Sequence, residues 1–272
     1  MSFHTVRSDR LDRLYHWQRL NVDRLRENLR DRVIYLSDPA TFNDPWDCKP
    51  YFNTQILEDP VENERHVEWA VDICRRHYRA MSETYITNMA LTLRADREFA
   101  AAKIEEMSRT IFTEISARYR VYCLGPDVGN LLMWAHYADN HKGICLEFNT
   151  RDLVMCSALR VQYAKEFPIM RVYSRDIDDN LQIFLNKADV WAYEREYRLI
   201  AQERGNANTN ETLLTDEHLL QLPETALRSV IVGCQGQYEM VRELVAEVAP
   251  KVLVKRAARV PNRFELRITT PG

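Results

Sequence analysis

The sequence predicts an α+β fold with a small split or mixed β-sheet core and a long helical insertion at about 61–121. Three observations support this class. Short segments with alternating or β-branched apolar residues occur near both ends of the chain, and residues 61–121 contain neither Pro nor Gly. Strand and helix patterns then alternate without an internal repeat, a low-complexity tract or a linker. We therefore expect a single α+β domain over residues 1–272.

The first half of the chain begins with a predicted strand at 14–17. Asn21 then caps a helix that places Val22, Leu25 and Leu29 on one stripe. A strand at 32–36 leads into a turn-rich segment at 37–47. Between 61 and 121, apolar residues recur at helical spacing, which predicts two or three helices that serve packing.

The second half contains shorter elements. A short helix is predicted at 130–137, before Gly143, and is followed by a strand at 144–148 with Ile144, Leu146 and Phe148 on one face. A strand at 158–163, a helix at 178–187 and a segment at 190–202 come next. The C-terminal part predicts a strand at 229–232, a helix at 238–248 and strands at 252–256 and 264–269.

Composition excludes several classes of protein. The chain has 272 residues, of which 46% are apolar and 28% charged, as in globular proteins. Its seven glycines begin at Gly125 and match neither the dinucleotide-binding nor the P-loop pattern, which disfavours Rossmann dehydrogenases, P-loop ATPases and kinases. There is no membrane-length apolar run and no apolar signal-peptide core at the start, so we expect a cytoplasmic protein with no membrane association.

The net charge of −3 argues against a surface built mainly to coat nucleic acid or anionic membrane. Six basic residues near the C-terminus could contact phosphates, but acidic residues close by favour a solvated face. These are Lys251, Lys255, Arg256, Arg259, Arg263 and Arg267.

No structural metal site is predicted. The six cysteines are scattered, and none is three residues from another, so there is neither a zinc knuckle nor a redox pair. His136 and His141 are five residues apart, a spacing that does not place both on one helical face.

The clearest candidate for chemistry is the segment 191–200. As a strand it would place Glu194, Glu196 and Arg198 on one face, with the carboxylates about 7 Å apart. Two neighbouring carboxylates in a cleft drive each other's pKa values apart, and the arginine would hold one of them ionised. If the segment is a helix instead, Glu194 and Arg198 form only a surface pair worth about 0.3–0.5 kcal/mol.

Three other segments offer candidate residues. Asn43 and Asp44 precede Pro45 in a rigid turn that could present both side chains to a ligand, or be no more than a tight turn. On the helix at 130–137, Trp134 would pack inward while His136 or Tyr137 could reach a pocket. His16 lies in the first strand, pointing opposite to Tyr15 and Trp17, where a structural histidine is the simpler interpretation.

Several motifs together resemble a widespread bacterial family classified as a domain of unknown function, whose members often lie near phage-defence genes. The motifs are Leu-Tyr-His-Trp at 14–17, Tyr-Leu-Ser-Asp-Pro at 35–39, Phe-Asn-Asp-Pro at 42–45, MWAHYADNHKGICLEF at 133–148, and Lys187 followed by Trp191 and Tyr-Glu-x-Glu-Tyr-Arg at 193–198. The resemblance covers about 13–268 and implies no particular reaction.

The same arrangement also resembles ADP-ribosyltransferases, which bind NAD in a split-sheet cleft without a glycine-rich loop. This resemblance implies that His16 contacts the ribose and adenosine side of NAD and that Tyr137 stacks on nicotinamide. It implies that Glu196 is the essential acid, holding the ribose hydroxyl, and that Glu194 activates or orients the acceptor. Arg198 completes the predicted catalytic set, and the remaining predicted NAD contacts are Ser37, Asn43, Asp44 and Trp134.

Three functions remain open from the sequence. The first is an NAD-consuming transferase or glycohydrolase, acting on a protein or nucleic-acid acceptor as a toxin or phage-defence effector, with a possible antitoxin or defence-system partner. The second is a nuclease or other hydrolase in which Asp44, Asp47, Glu194 and Glu196 bind Mg²⁺. The third is a non-catalytic sensor or binding module that uses its aromatic residues as an interaction surface.

Overall fold

The computed structural model describes residues 3–78, 80–168, 170–171, 173, 177–204 and 213–270. Within these residues the chain folds as α+β, with separate β-sheets and a long helical segment, which confirms the predicted fold class. No helix in the described ranges is both long and apolar enough to cross a membrane.

The larger sheet has five strands from both ends and the middle of the chain. Their order is β1 (Arg13–Gln18), β4 (Ile144–Asn149), β11 (Leu227–Val232), β12 (Leu253–Arg259) and β13 (Leu266–Thr269). Neighbours run antiparallel except β11 and β12, which are parallel and are connected by helix α7 (Tyr238–Val248). A helix in this connection is expected, because parallel neighbours require a long crossover.

The second sheet is built around β8 (Tyr197–Glu203). This strand pairs antiparallel with β3 (Tyr119–Leu124) and β5 (Leu159–Arg160), and its end pairs parallel with β9 (Leu213–Thr215). Two further pairs of short strands lie outside these two sheets. They are β2 (Val33–Tyr35) with β10 (Leu219–Gln221), antiparallel, and β6 (Gln162–Ala164) with β7 (Asn186–Ala188), parallel.

The predicted insertion consists of three helices, α2 (Pro60–His77), α3 (Glu83–Ala95) and α4 (Arg97–Arg118). Asp59, Ser82 and Asp96 cap their first turns through side-chain oxygens. The insertion ends three residues earlier than predicted, because the last of these residues join β3 and pair with β8. Besides α7, the other α-helices in the described ranges are α1 (Val22–Arg26), which continues as a π-helix (Glu27–Asp31), α5 (Leu131–Tyr137) and α6 (Ile177–Leu185).

The strand predicted at 144–148 alternates as expected. Ile144, Leu146 and Phe148 are fully buried in the main apolar core, together with residues of the second sheet and α7, while Cys145 packs in a separate cluster beside α5. The predicted strand at 158–163 is instead two short strands, and the helix predicted at 178–187 ends at Leu185, because the next residues form β7.

The two sheets meet where the end of β3 approaches β1. Tyr15 and Gly125 exchange two backbone hydrogen bonds of 2.8 Å, while Ser37 and Val121 exchange bonds of 2.8 and 2.9 Å further along β3. Beyond these contacts the strands pair with different sheets, so a space opens between them. Candidate residues from both sheets lie around this space.

Candidate functional site

A cavity of about 400 Å³ lies between β1, β3 and α5, at the point where the sheets separate. Its size is within the range of small-molecule sites. Six of the nine sequence-predicted site residues line it, namely His16, Ser37, Asn43, Tyr137, Glu194 and Glu196. Its other walls include Trp17, Phe42, Asp47, Cys123, His136 and Lys187.

His16 is held in one tautomer at the β1 wall. Its Nδ1 lies 2.8 Å from the carbonyl oxygen of Cys123, and because a carbonyl can only accept, Nδ1 carries the proton. The ring stacks on Tyr122 with the centroids 4.0 Å apart. Burial lowers the pKa of His16 to about 4. The imidazole is therefore neutral near pH 7, and Nε2 is available as a hydrogen-bond acceptor.

The segment that carries the two glutamates is not the regular strand that one interpretation of the sequence predicts. Residues Asp189–Glu194 form a 3₁₀-helix, and Arg195 adopts a left-handed conformation with φ 48°. The Tyr193 carbonyl accepts a hydrogen bond of 2.7 Å from the Asn130 side chain, which ties this turn to the start of α5. The chain enters β8 only at Tyr197. Before Tyr197, therefore, successive side chains do not alternate between two faces as they would in a strand.

Glu194 and Glu196 nevertheless come together, because both contact Lys187 on β7. Lys187 Nζ lies 2.6 Å from Glu194 Oε2, 3.1 Å from Glu196 Oε2 and 3.5 Å from Asp47 Oδ2. The side chains of all four residues are at most 6% exposed. The surface ion pair expected from a helical interpretation is therefore absent, and the carboxylates form one buried network with the lysine.

Arg198 lies beneath this network and does not line the cavity. Its guanidinium binds both Glu196 oxygens, at 2.7 and 3.0 Å, and both Asp47 oxygens, at 2.8 and 2.6 Å. It also donates to the Phe184 carbonyl at 2.7 Å. Since Arg198 is completely buried, its geometry is that of a positioning residue that fixes two carboxylates in place.

The pKa values of the two glutamates move in opposite directions. Burial raises the pKa of Glu194, and the Glu196 carboxylate raises it further, against the opposing effects of Lys187 and of the Tyr137 hydroxyl. Burial also acts to raise the pKa of Glu196, but the charges of Arg198 and Lys187 outweigh it and hold this pKa at about 2. Glu196 is thus the permanently ionised member of the pair, while Glu194 can exchange a proton more readily.

Tyr137 connects α5 to this network. Asn130 caps α5 by accepting from the Leu132 and Met133 amides, and the helix brings the Tyr137 hydroxyl 2.6 Å from Glu194 Oε1. Burial and the adjacent Glu194 carboxylate raise the pKa of Tyr137, so the hydroxyl stays protonated and donates a hydrogen bond to Glu194.

Two sequence-predicted ligand contacts do not reach the cavity wall. The Trp134 side chain is fully buried, and its indole nitrogen donates to the Val128 carbonyl at 2.7 Å, so it serves packing. Asp44 Oδ1 accepts from the Trp46 amide at 2.9 Å, which is the local turn role that the sequence also allowed. Neither residue lines the cavity.

The same geometry bears on the possible Mg²⁺ site. Asp44 is not part of the network, and the Lys187 ammonium takes the position among Asp47, Glu194 and Glu196 that a divalent cation would need. No group of three or more His, Cys, Asp or Glu side chains within the described ranges is arranged to hold a metal ion.

Lys187 and Asp47 are the site residues to which the sequence assigned no role in NAD binding or catalysis. In the sequence Lys187 is only the first residue of the motif that ends in Arg198, and Asp47 is only one of the four acidic residues of the alternative Mg²⁺ site. A further contact is Tyr163, whose hydroxyl accepts from the Glu196 amide at 2.8 Å and which no local pattern indicates. A lysine placed seven residues before an acidic pair was the available signal for Lys187.

A family model described as "Protein of unknown function (DUF2971)" matches residues 133–199. The chain thus contains a domain of this type, consistent with the uncharacterised family that its motifs resemble. The matched residues carry Tyr137, Lys187, Glu194, Glu196 and Arg198, so they supply the acidic wall of the cavity, whereas β1 and the turn at 42–47 lie outside the match. No curated protein and no solved structure matches the chain significantly.

Proposed function

We propose that this protein is an NAD-consuming enzyme of the ADP-ribosyltransferase type. It would cleave the bond between nicotinamide and ribose and pass ADP-ribose to a protein or nucleic-acid acceptor, or to water. The observation that carries this proposal is the charge of the buried network at the cavity wall. Its carboxylates (Asp47, Glu194 and Glu196) exceed its cations (Lys187 and Arg198) by one.

An excess negative charge beside a small cavity favours a positively charged reacting group. The nicotinamide ring of NAD is a pyridinium cation, and cleavage of its glycosidic bond passes through an oxocarbenium-like ribosyl cation. Carboxylates that are already fixed by Arg198 and Lys187 need little reorganisation as this charge develops. The network therefore suits both the ground state and the transition state of this reaction.

The other wall residues have properties that fit the rest of the ligand. The neutral His16 imidazole can accept a hydrogen bond at Nε2 from a ribose hydroxyl. Tyr137 offers an aromatic ring, while Ser37 and Asn43 offer side-chain donors for polar groups of the substrate. A cavity of this kind needs no glycine-rich loop, in agreement with the glycine pattern of the sequence.

The bond changes are balanced without a redox partner. The electron pair of the C–N bond leaves with nicotinamide, which becomes neutral, while the acceptor or water adds to the ribosyl carbon. The proton released by the nucleophile passes to Glu194, whose raised pKa makes it the better base of the two glutamates. Glu196 remains ionised throughout and stabilises the cation.

The direct test is release of nicotinamide from labelled NAD by the purified protein, with and without cell lysate. A Glu196→Gln variant is expected to lower the rate on the order of 10²–10³, comparable with the loss of one preorganised group. Equal rates in the two proteins, or no release by the wild type in either condition, would reject the proposal. Label recovered on macromolecules distinguishes a transferase from a hydrolase.

Glu147→Gln provides the matched control. Glu147 is also a fully buried carboxylate, held by Arg13 at 2.8 Å and by Lys255 and Ser229, but it does not line the cavity. It therefore reproduces the structural cost of removing a buried charge without touching the proposed chemistry. Melting curves for both variants separate loss of folding from loss of activity.

An enzyme of this type would act as an effector in the cell, because depletion of NAD or modification of a macromolecule harms the cell. Expression of the wild-type protein in bacteria is expected to arrest growth, and Glu196→Gln is expected to relieve the arrest. A partner that acts as an antitoxin would restore growth without lowering the amount of the protein. If bacteria that express the wild-type protein grow as well as those that express Glu196→Gln, the protein is not an effector.

A further inference from the structure

The last part of the chain has a charge opposite to that of the whole protein. Residues 251–272 contain six basic residues and one acidic residue, whereas the net charge of the chain is −3. Most of these basic residues lie on or beside the hairpin formed by β12 and β13, at the edge of the larger sheet. We propose that the tip of this hairpin and the cavity beside it bind single-stranded nucleic acid. This inference does not depend on the NAD chemistry.

Three of the six basic residues are neutralised by acidic partners, as the sequence suggested. Lys251 pairs with Glu224 at 3.3 Å, Lys255 pairs with the buried Glu147, and Arg263 lies 3.6 Å from Glu265. The other three are exposed and pair with no carboxylate in the described part of the chain. They are Arg256, Arg259 and Arg267, and their charge remains available to an anionic ligand.

The hairpin presents this charge on both of its faces. In the register of the two strands Arg259 is opposite Leu266, and Arg267 is opposite Ala258. Because neighbouring residues of a strand point to opposite faces, Arg259 and Arg267 project from opposite sides of the ribbon. A phosphate backbone that passes around the tip can therefore contact arginine from either side.

An aromatic residue is located at the tip between these arginines. Phe264 is 100% exposed, in a turn closed by a backbone hydrogen bond of 3.0 Å from Val260 to Glu265. Single-strand-binding proteins combine basic side chains with aromatic rings on which bases stack, and each stacked base contributes substantially to affinity. Phe264 has the exposure that such stacking requires.

The space beside the tip has room for a nucleotide. A cavity of about 820 Å³ is lined by Leu131, Gln235, Arg259, Asn262, Arg263 and Phe264, among others. The amides of Gln235 and Asn262 can both donate to and accept from the edge of a base. Leu131 begins α5, the helix whose residues Met133 and Tyr137 line the candidate active site, so the same short helix borders both cavities.

The neighbours of Phe264 favour nucleic acid over an acidic protein as the partner. The central aromatic residues of protein interfaces are surrounded by contacts that exclude water. Phe264 instead follows Asn262 and Arg263 and precedes Glu265, all of which are exposed. An isolated ring among charged and amide side chains is suited to stacking in a wet, electrostatic interface.

The test uses the full chain and a fluorescent single-stranded oligonucleotide of about 16 nucleotides, with binding followed by anisotropy over a range of salt concentrations. Phe264→Ala is expected to weaken binding on the order of tenfold or more, while Phe264→Trp keeps it. Arg259→Gln is expected to weaken binding and to reduce the slope of log K against log salt by about 0.7. Arg97→Gln, which removes an exposed arginine of α4 that pairs with no carboxylate of the described residues, is the matched control and leaves binding unchanged.

Circular dichroism and melting curves should be unchanged in the Phe264 variants, because the side chain makes no buried contact to lose. Lack of binding at low salt, or binding that is equally strong in Phe264→Ala, would overturn the inference. Binding to polyglutamate as strong as to the oligonucleotide would also overturn it and would point to an acidic protein partner. Because none of these readouts involves NAD, a negative result leaves the proposed catalytic function standing.

Discussion

Tyr137 and Glu194 are 57 residues apart in the sequence, yet the tyrosine hydroxyl donates a hydrogen bond of 2.6 Å to the glutamate carboxylate. The contact exists because α5 and the 3₁₀-helix before β8 are fastened together by the Asn130 side chain. It places an aromatic ring of the cavity wall and a carboxylate with a raised pKa in one unit. Removal of the hydroxyl therefore gives a direct test of the role of Glu194.

We expect Tyr137→Phe to move the acidic limb of the pH profile of kcat/KM to higher pH. The hydrogen bond from Tyr137 lowers the pKa of Glu194, so its loss raises that pKa further. If ionised Glu194 is the base, activity then appears only at higher pH. Nicotinamide release measured from pH 5 to 9 checks this.

Tyr197→Phe is the control for that experiment. Tyr197 also donates to a carboxylate, Asp9 at 2.5 Å, but neither residue lines the cavity. The pH profile of kcat/KM for Tyr197→Phe should have the same acidic limb as that of the wild-type protein. An unchanged limb in Tyr137→Phe would show that Glu194 is not the titrating base.

Much of the fold was accessible from the sequence because it depends on local patterns. Asn21 caps its helix as predicted, and α7 has the predicted bounds, since capping and apolar periodicity act over a few residues. The interval without Pro or Gly contains three helices, within the predicted two or three, and only its last three residues belong to a strand. These features require no knowledge of which distant segments meet.

The arrangement of the site was less accessible because it depends on contacts between distant segments. The left-handed Arg195 interrupts the expected alternation, and a non-glycine residue in this conformation is uncommon. The position of Lys187 follows from the β6–β7 pairing, which has only three residues in each strand. Sequence patterns indicated that Glu194 and Glu196 are close, but they could not show that one lysine lies between them.

We expect Lys187→Met to destabilise the protein by about 3–5 kcal/mol at pH 7, because it leaves buried carboxylates without one of their two cations. The loss should shrink toward pH 5, where Glu194, with its raised pKa, takes up a proton in place of the missing charge. Urea unfolding at both pH values measures the difference. Lys187→Arg, which keeps the charge, should lose less, and equal losses at pH 7 and 5 would contradict a mainly electrostatic role.

His16 should make the protein less stable as the pH falls from 6.5 to about 4. Burial lowers its pKa in the folded state, so the unfolded chain binds the proton more tightly and unfolding is favoured in this window. Above pH 6.5 the imidazole is neutral in both states and this contribution to stability is fully present. The shift corresponds to at most about 3 kcal/mol, reduced by solvent in the cavity.

His16→Asn removes this titration while keeping a side-chain amide able to donate to the Cys123 carbonyl. Comparison of the unfolding free energies of the two proteins at several pH values between 7.5 and 4 isolates the effect. The difference should change with pH only in the stated window. A difference that is constant with pH would mean that His16 is protonated in the folded protein as easily as in the unfolded chain.

Gly125→Ala should reduce activity more than it reduces stability. A Cβ atom at this position would lie 3.0 Å from Trp17 Cζ3 and 3.3 Å from the Glu194 carbonyl oxygen, so the tryptophan and the glutamate turn must move apart by a few tenths of an ångström. Since misplacement by about 1 Å can cost a hundredfold in rate, we expect a loss on the order of tenfold. Gly129→Ala is the matched control, because the nearest atom to its Cβ is the Asp127 side-chain oxygen at 3.3 Å that accepts from the Gly129 amide, and neither residue lines the cavity. Equal nicotinamide release by the two variants, with matching melting temperatures, would show that the contact between Trp17 and the Glu194 turn has no part in positioning the site.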